Sequence, residues 1–285
     1  VGGGPGGGRG DARLLGIEPT TQRPKMDEAL GIIIRLLTEE EPVTYKGDWF
    51  ELNEAQLQLK PYQRPTMPIA VASTISPAGM TAAGKHGIGV LSVASYSEDG
   101  LNAVATQWGF AEKAASGAGK PPPDRNAWRI VTPFHLADSR EQAIEDIDEG
   151  ILRWNNDYFI HALGVPGRTL AESGRALAEQ MTEYGGAIIG TPDDAIAHIK
   201  RLQELSGGFG AFLGLAHEWT TREKTLRSYE LMARHVMPEF QDLTSWIKRS
   251  SAWSLANKES LMAGTRDAIL KAIQEQGGQP PAGGA

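Results

Sequence analysis

The chain has 285 residues, 40% of them apolar and 22% charged, enough for one large α/β domain with a substantial core or for two small ones. With 35 acidic and 28 basic residues its formal charge is −7, so nothing electrostatic argues for nucleic acid or an anionic membrane as a partner. Cysteine is absent, which excludes disulfides, thiolate metal sites and cysteine nucleophiles within these residues. No stretch reaches the roughly 18 consecutive apolar residues of a spanning helix, and a cytoplasmic location is the default expectation.

Residues 1–11 read VGGGPGGGRGD. By composition this is a flexible glycine-rich tail; the other reading is a turn following a barrel strand. After Pro24, the apolar positions Met26, Ala29, Leu30, Ile33, Ile34 and Leu37 predict a one-faced helix ending near Glu40. Val43–Leu59 has β-forming residues on both sides of Lys46-Gly47-Asp48, the pattern of a hairpin.

Four short apolar runs then alternate with helical patterns. They are 67–72, 88–93, 128–136 and 209–215, each suited to a buried parallel strand. Between them lie a small-residue helix ending at His86-Gly87 and a helix carrying Leu101, Val104, Ala105 and Trp108. Ser139 is a cap for a helix whose apolar positions include Ile144, Ile147, Ile151, Trp154 and Tyr158. Val165–Tyr184 is an excursion from this alternation. Thr191, Pro192 and the acidic pair Asp193-Asp194 mark another helix start. Arg222–Phe240 is a long amphipathic helix, and the end after Gln276 is expected to fray. Apolar strands separated by helices predict a parallel sheet covered by helices. Four such units make a small open sheet or half of an eight-stranded barrel.

The chain contains no HExxH, no Walker lysine loop and no GxSxG elbow. His86, His135, His161, His198, His217 and His235 show no metal-ligand spacing, and no metal site is expected. His135 and His217 lie near strand ends, where a barrel places its site; His198 and His235 fall on helices. After the strand ending at Ala72, Ser73, Thr74 and Ser76 supply hydroxyls, with Ser76 as expected N-cap and Pro77 in the first helical turn. That junction is either an ordinary capped turn or a phosphate cradle without lysine. Trp219 follows His217 beyond a strand end, placed either to pack or to face a flat ligand.

The order and spacing of these pieces resemble the bacterial luciferase-like flavin monooxygenases, particularly the limonene monooxygenase-like branch. The matching stretches are GGGPGGGRGDARLLGIEP, the 24–74 segment, SPAGMTAAGKHGIGVLS, WRIVTPFHLADSREQA, IIGTPDDAIAHIKRL and GGFGAFLGLAHEWTTREKTLRSYELMARHVMPEFQ. The resemblance implies a β/α barrel that binds reduced FMN from a separate flavin reductase. It implies insertion of one atom of O₂ into an apolar aldehyde, terpene or similar small substrate. The complete protein is expected to be a homo-oligomer, with no nucleic acid and no membrane as partner.

Carried over by position, Gly4, Pro5 and Gly6 match the loop that follows the fourth barrel strand and lies against the flavin. Ser76, Gly79 and Met80 match the loop and helix start that hold its phosphate. His217 and Trp219 match the substrate rim after the eighth strand. Pro5 stands where luciferases have arginine, which shifts the branch. The resemblance also implies that the first four strands are missing. The chain is then a partial TIM barrel, strands five to eight, over 1–240, followed by a C-terminal helical extension and flexible tail over 241–285. Such a fragment is expected to be inactive alone, and its catalytic residues stay unassigned. The alternatives are a reduced-deazaflavin oxidoreductase and a non-catalytic half-barrel scaffold.

Overall fold

The computed structural model describes residues 1–93, 98–165, 168–215 and 217–278. The chain divides into two compact units, Val1–Met232 and Ala233–Ala285. The first is built on a parallel sheet of six strands: β1 (Gly2–Gly3), β4 (Ala70–Ser73), β5 (Gly89–Ser92), β6 (Trp128–Leu136), β7 (Ile188–Gly190) and β8 (Ala211–Leu215). A separate antiparallel hairpin pairs β2 (Val43–Lys46) with β3 (Glu51–Ala55), around the turn expected from Lys46-Gly47-Asp48.

The order along the sheet is β1-β4-β5-β6-β7, and β8 also pairs with β6. β6 is long enough for two partners: Arg129–Pro133 pair with β8, and Phe134–Leu136 pair with β7. All of these pairings are parallel. The four expected strands are present: 128–136 has the bounds expected, and the other three start one to three residues later. The Val1 ammonium donates to the Pro68 carbonyl at 2.7 Å and the Ala70 amide to the Val1 carbonyl at 2.9 Å; Pro68 has no N–H to add, so regular pairing starts at Ala70. Before β8, Gly207 and Gly208 turn the chain at φ +72° and +101°.

Two strands were not expected. β7 has only three residues, and its apolar signal merges into the cap at Thr191. β1 consists of two glycines, which have no strand preference of their own. Its pairing with Ala70 and Val71 takes Gly2 and Gly3 out of the expected turn and makes them part of the sheet.

One face of the sheet is covered. Val71, Val90, Trp128 and Ile130 point into a core with Leu30 of α2 (Gln22–Thr38), Met80 of α3 (Ala78–His86), Trp108 of α4 (Glu98–Gly117) and Leu202 of α7 (Pro192–Ser206). Trp128 and Trp108 stack at 5.0 Å, the Arg125 guanidinium lies 4.9 Å from the Trp108 ring centroid, and the Trp128 indole donates to Ser92 Oγ at 2.8 Å. Strand side chains alternate between faces, so the register Ala72↔Leu91↔Arg129 forms a row on the opposite face. Those three residues, with Ala70, are only half-buried.

A second core joins β7 to α5 (Arg140–Arg153) and α6 (Gly174–Tyr184) through Ile144, Ile147, Ile151, Leu177, Met181 and Ile189. Ser139 caps α5 as expected, accepting from the Gln142 amide at 3.2 Å. Thr191 and Asp194 form a reciprocal capping box at the start of α7. The helix expected over Arg222–Phe240 is interrupted: α8 (Arg222–Leu231) gives way to a π turn over Met232–Val236 before α9 (Met237–Phe240), with Pro238 in the last piece. The second unit continues with α10 (Ser245–Ala256) and α11 (Lys258–Glu275), neither of which buries a residue. The end expected to fray lies, from residue 279 onward, outside the described residues. Among the described residues, no helix is long and apolar enough to cross a membrane, and no group of histidine and carboxylate side chains is suited to a metal.

Candidate functional site

Parallel strands deliver all their C-terminal ends to one edge of the sheet, and loops leaving that edge share a common rim. Because β1 and β4 are direct neighbours, Gly4-Pro5-Gly6 and the β4–α3 turn emerge side by side. A Cβ at Gly4 would stand 3.6 Å from the Ala72 Cβ, on the uncovered face. Gly6 has φ +84°, a conformation that favours glycine, and this turn exposes backbone rather than side chains.

At the β4–α3 junction, Gly79 lies against the strand end. An added Cβ would meet the Ser73 Cα at 2.8 Å and collide with the Ala72 carbonyl, so only glycine lets α3 start this close. Ser76 does not cap α3. The N-cap is Pro77, with helical φ and ψ and no side-chain hydrogen bond, which leaves the half-buried Ser76 hydroxyl without a capping role. Ser73 is almost fully buried, and its Oγ has no hydrogen-bond partner. The Thr74 carbonyl is held by the side-chain amide of Gln107 from α4. Met80 is fully buried in the core, so only its backbone is available to the turn.

This donor set suits a phosphate. The first amides of α3 have no intrahelical partner and sit at the positive end of the helix dipole. The Thr74 and Ser76 hydroxyls add donors, the glycines at 4 and 6 keep side chains out of the neighbouring turn, and Gly79 lets α3 start close against β4.

His217 and Trp219 follow β8 at the same edge. Their rings stack at 4.4 Å with planes 9° apart, and Trp154 meets them edge-on at 5.1 and 5.3 Å. Trp219 is 4% exposed and belongs to the core shared with α5 and α6. Gly150 of α5 has no side chain where the Trp219 backbone passes. Neither His217 Nε2 nor Trp219 Nε1 has a hydrogen-bond partner. Burial pushes the His217 pKa down to about 4, so its ring is neutral at pH 7. The pairing order β4-β5-β6-β8 puts three strand spacings, about 14 Å, between this pair and the β4 turn.

His135, at the end of β6, is enclosed in a structural network. Its Nε2 lies 3.2 Å from Asp146 of α5, which also takes Lys224 Nζ of α8 at 2.8 Å and the Gln142 amide at 2.7 Å. Desolvation would raise the Asp146 pKa, yet these three partners outweigh it and hold the carboxyl below its usual value. His86 likewise joins α3 to α2 through Asp27 at 2.7 Å. The supporting role of Gln107 was not anticipated, although a polar residue within the buried stripe of Val104, Trp108 and Ala111 is a detectable signal. The exit of β5, residues 94–97, lies outside the described residues.

Comparison with known proteins agrees with this architecture. The family model described as luciferase-like monooxygenase matches residues 1–207. The chain is 38% identical over 258 residues to 4-hydroxyprotoasukamycin monooxygenase of Streptomyces nodosus subsp. asukaensis, covering 90% of this chain and 69% of that protein. It is 41% identical over 241 residues to limonene 1,2-monooxygenase of Rhodococcus erythropolis, covering 84% of this chain and 60% of that one. The match thus spans between three-fifths and seven-tenths of those relatives. Among solved structures, the oxygenating constituent of 3,6-diketocamphane monooxygenase from Pseudomonas putida, in complex with FMN, superimposes with a TM-score of 0.63 at 22% identity, over 84% of this chain and 70% of that one. The chain belongs to the luciferase-like monooxygenase family, on its limonene monooxygenase-like branch.

Proposed function

We propose that this chain supplies the phosphate-binding side and part of the substrate rim of an FMN-dependent monooxygenase acting on an apolar small molecule. The observation that carries the reading is the β1–β4 pairing, which sets the Gly4–Gly6 turn beside the β4–α3 junction. The uncovered face of the sheet supports a barrel interior, because its small residues Gly4, Ala70 and Ala72 leave room for a flat ring. In this reading the sheet is the C-terminal half of the barrel, and an enzyme needs the other half as well.

Bound reduced FMN would supply the electrons for O₂ activation, with one oxygen atom going to the substrate and the other to water. The chain's own residues bind, orient and exclude water. The α3 amides with Thr74 and Ser76 hold the phosphate, and Gln107 fixes the turn through the Thr74 carbonyl. The neutral His217 ring, backed by Trp219 and Trp154, forms an aromatic rim that carries no charge to retain water. A flavin reductase delivers the reduced cofactor, and the complete protein is a homo-oligomer.

The test is oxygen uptake by the complete barrel with reductase, NADH and limonene, supplied either with FMN or with a deazaflavin. Substrate-dependent oxygen consumption and oxygenated product with FMN support the proposal. Hydride transfer with deazaflavin and no oxygenation with FMN would replace it with the deazaflavin alternative.

A further inference from the structure

A cleft of about 210 Å³ opens where α6, β7 and α7 meet, with Arg140 of α5 at one side. Its walls include Thr182, Ile188, Asp194, His198 and Arg201. Asp194, His198 and Arg201 recur at helical spacing and form one face of α7. Arg140 and Asp194 pair with each other, and Asp194 also accepts from the Thr191 amide at 2.9 Å and hydroxyl at 2.8 Å, so these two charges are satisfied. Arg201 has no hydrogen bond or ion pair among the described residues, and its only resolved charge effect falls on His198. Arg201 is exposed, so its charge faces solvent and is open to an anion.

The two side chains sit together over Gly185. A Cβ at that position would stand 3.2 Å from an Arg201 guanidinium nitrogen and 3.5 Å from the His198 ring. Gly185 ends α6 at φ +91°, where glycine is favoured, and the same absence of a side chain leaves both groups their room. His198 Nε2 is buried without a hydrogen-bond partner. Burial, assisted by Arg201, pushes the His198 pKa down to about 4. Unpaired buried ring nitrogens are uncommon enough in native proteins to require an explanation.

We propose that this cleft binds a small oxyanion, a carboxylate or phosphate group held between Arg201 and His198. The planar guanidinium presents N–H donors matched to two oxygens, and the Nε2–H tautomer of His198 adds a donor. Ile188 and Ala187 line the cleft beside these donors, and the Arg140 guanidinium offsets the Asp194 carboxylate there. The site shares no residue with the β1 and β4 turns, so it is independent of the flavin reading.

The experiment titrates the chain at low ionic strength with inorganic phosphate and, separately, with acetate, following the His198 ring resonances by NMR. Saturable shifts are expected with at least one anion, the tighter of the two showing which group the site prefers. Arg201→Gln should weaken binding at least tenfold and Arg201→Lys should retain part of it. Both variants should fold, as read by circular dichroism, and keep the wild-type FMN affinity. Three results would overturn the proposal: no saturable shift with either anion, an Arg201→Gln titration matching wild type, or equal shifts with chloride.

Discussion

Gly79 stands against Ser73 so closely that a Cβ on the glycine would lie 2.8 Å from the Ser73 Cα. This contact sets where α3 begins relative to β4, and therefore where its free amides are. Gly79→Ala must push helix and strand apart. The expected cost is about 1–3 kcal/mol of stability, as for other overpacked sites, with weaker FMN binding alongside. Urea unfolding and flavin titration on the same protein check this; wild-type values in both would show that the junction yields without consequence.

Trp128 is fully buried, stacked on Trp108 and bonded to Ser92. Trp128→Ala should cost about 3–5 kcal/mol, the range for large aromatic truncations. Trp128→Phe should cost less, about 1–3 kcal/mol, since it keeps most apolar contact but leaves the Ser92 hydroxyl unpaired. Equal losses for the two would mean that the indole hydrogen bond, not the packing, is the larger contribution.

Asp146 ties β6, α5 and α8 together through His135 and Lys224. Asp146→Asn removes the charge from a side chain that is only 7% exposed and leaves Lys224, still half in solvent, without its partner. A loss of about 1–3 kcal/mol is expected, measured by denaturant midpoint at pH 7. Asp146→Asn with an unchanged midpoint would show that the network contributes nothing net.

His217 gives a pH signature. Its folded pKa, about 4, lies below the unfolded value near 6.5, so the unfolded chain binds the proton more readily between those limits. The stabilisation is therefore complete above pH 6.5 and is lost as pH falls toward 4. His217→Phe keeps a ring for Trp219 and Trp154 to pack on while removing the titration. The wild type should lose more stability than the variant between pH 7 and pH 4.5, as read by urea unfolding. Parallel losses would place the His217 ring in contact with water.

Much of this organisation was legible in residue patterns. The hairpin around Gly47, the caps at Ser139 and Thr191, and the strand through Trp128 each carry a local signal. Ile188–Gly190 was not legible because three apolar residues before a helix cap have no period. Gly2–Gly3 was not legible because its strand exists only through pairing with Ala70 and Val71. Ser76 looked like a cap by residue type, yet Pro77 takes that position, and the Met80 side chain is packed in the core, leaving its backbone at the helix start. The meeting of Trp154 with His217 depends on long-range packing that spacing along the chain does not encode.

The central claim is that the paired β1 and β4 turns hold a phosphate, and comparing FMN with riboflavin tests it most directly, because the two differ only in that group. Fluorescence titration of the protein should show FMN binding at least tenfold tighter than riboflavin. Ser76→Ala should narrow the gap by the worth of one hydrogen bond, about 0.5–1.5 kcal/mol. Ser76→Asp should erase it by setting a negative charge beside the phosphate. Equal affinity of the wild type for FMN and riboflavin, or an undiminished preference in Ser76→Asp, would contradict the account.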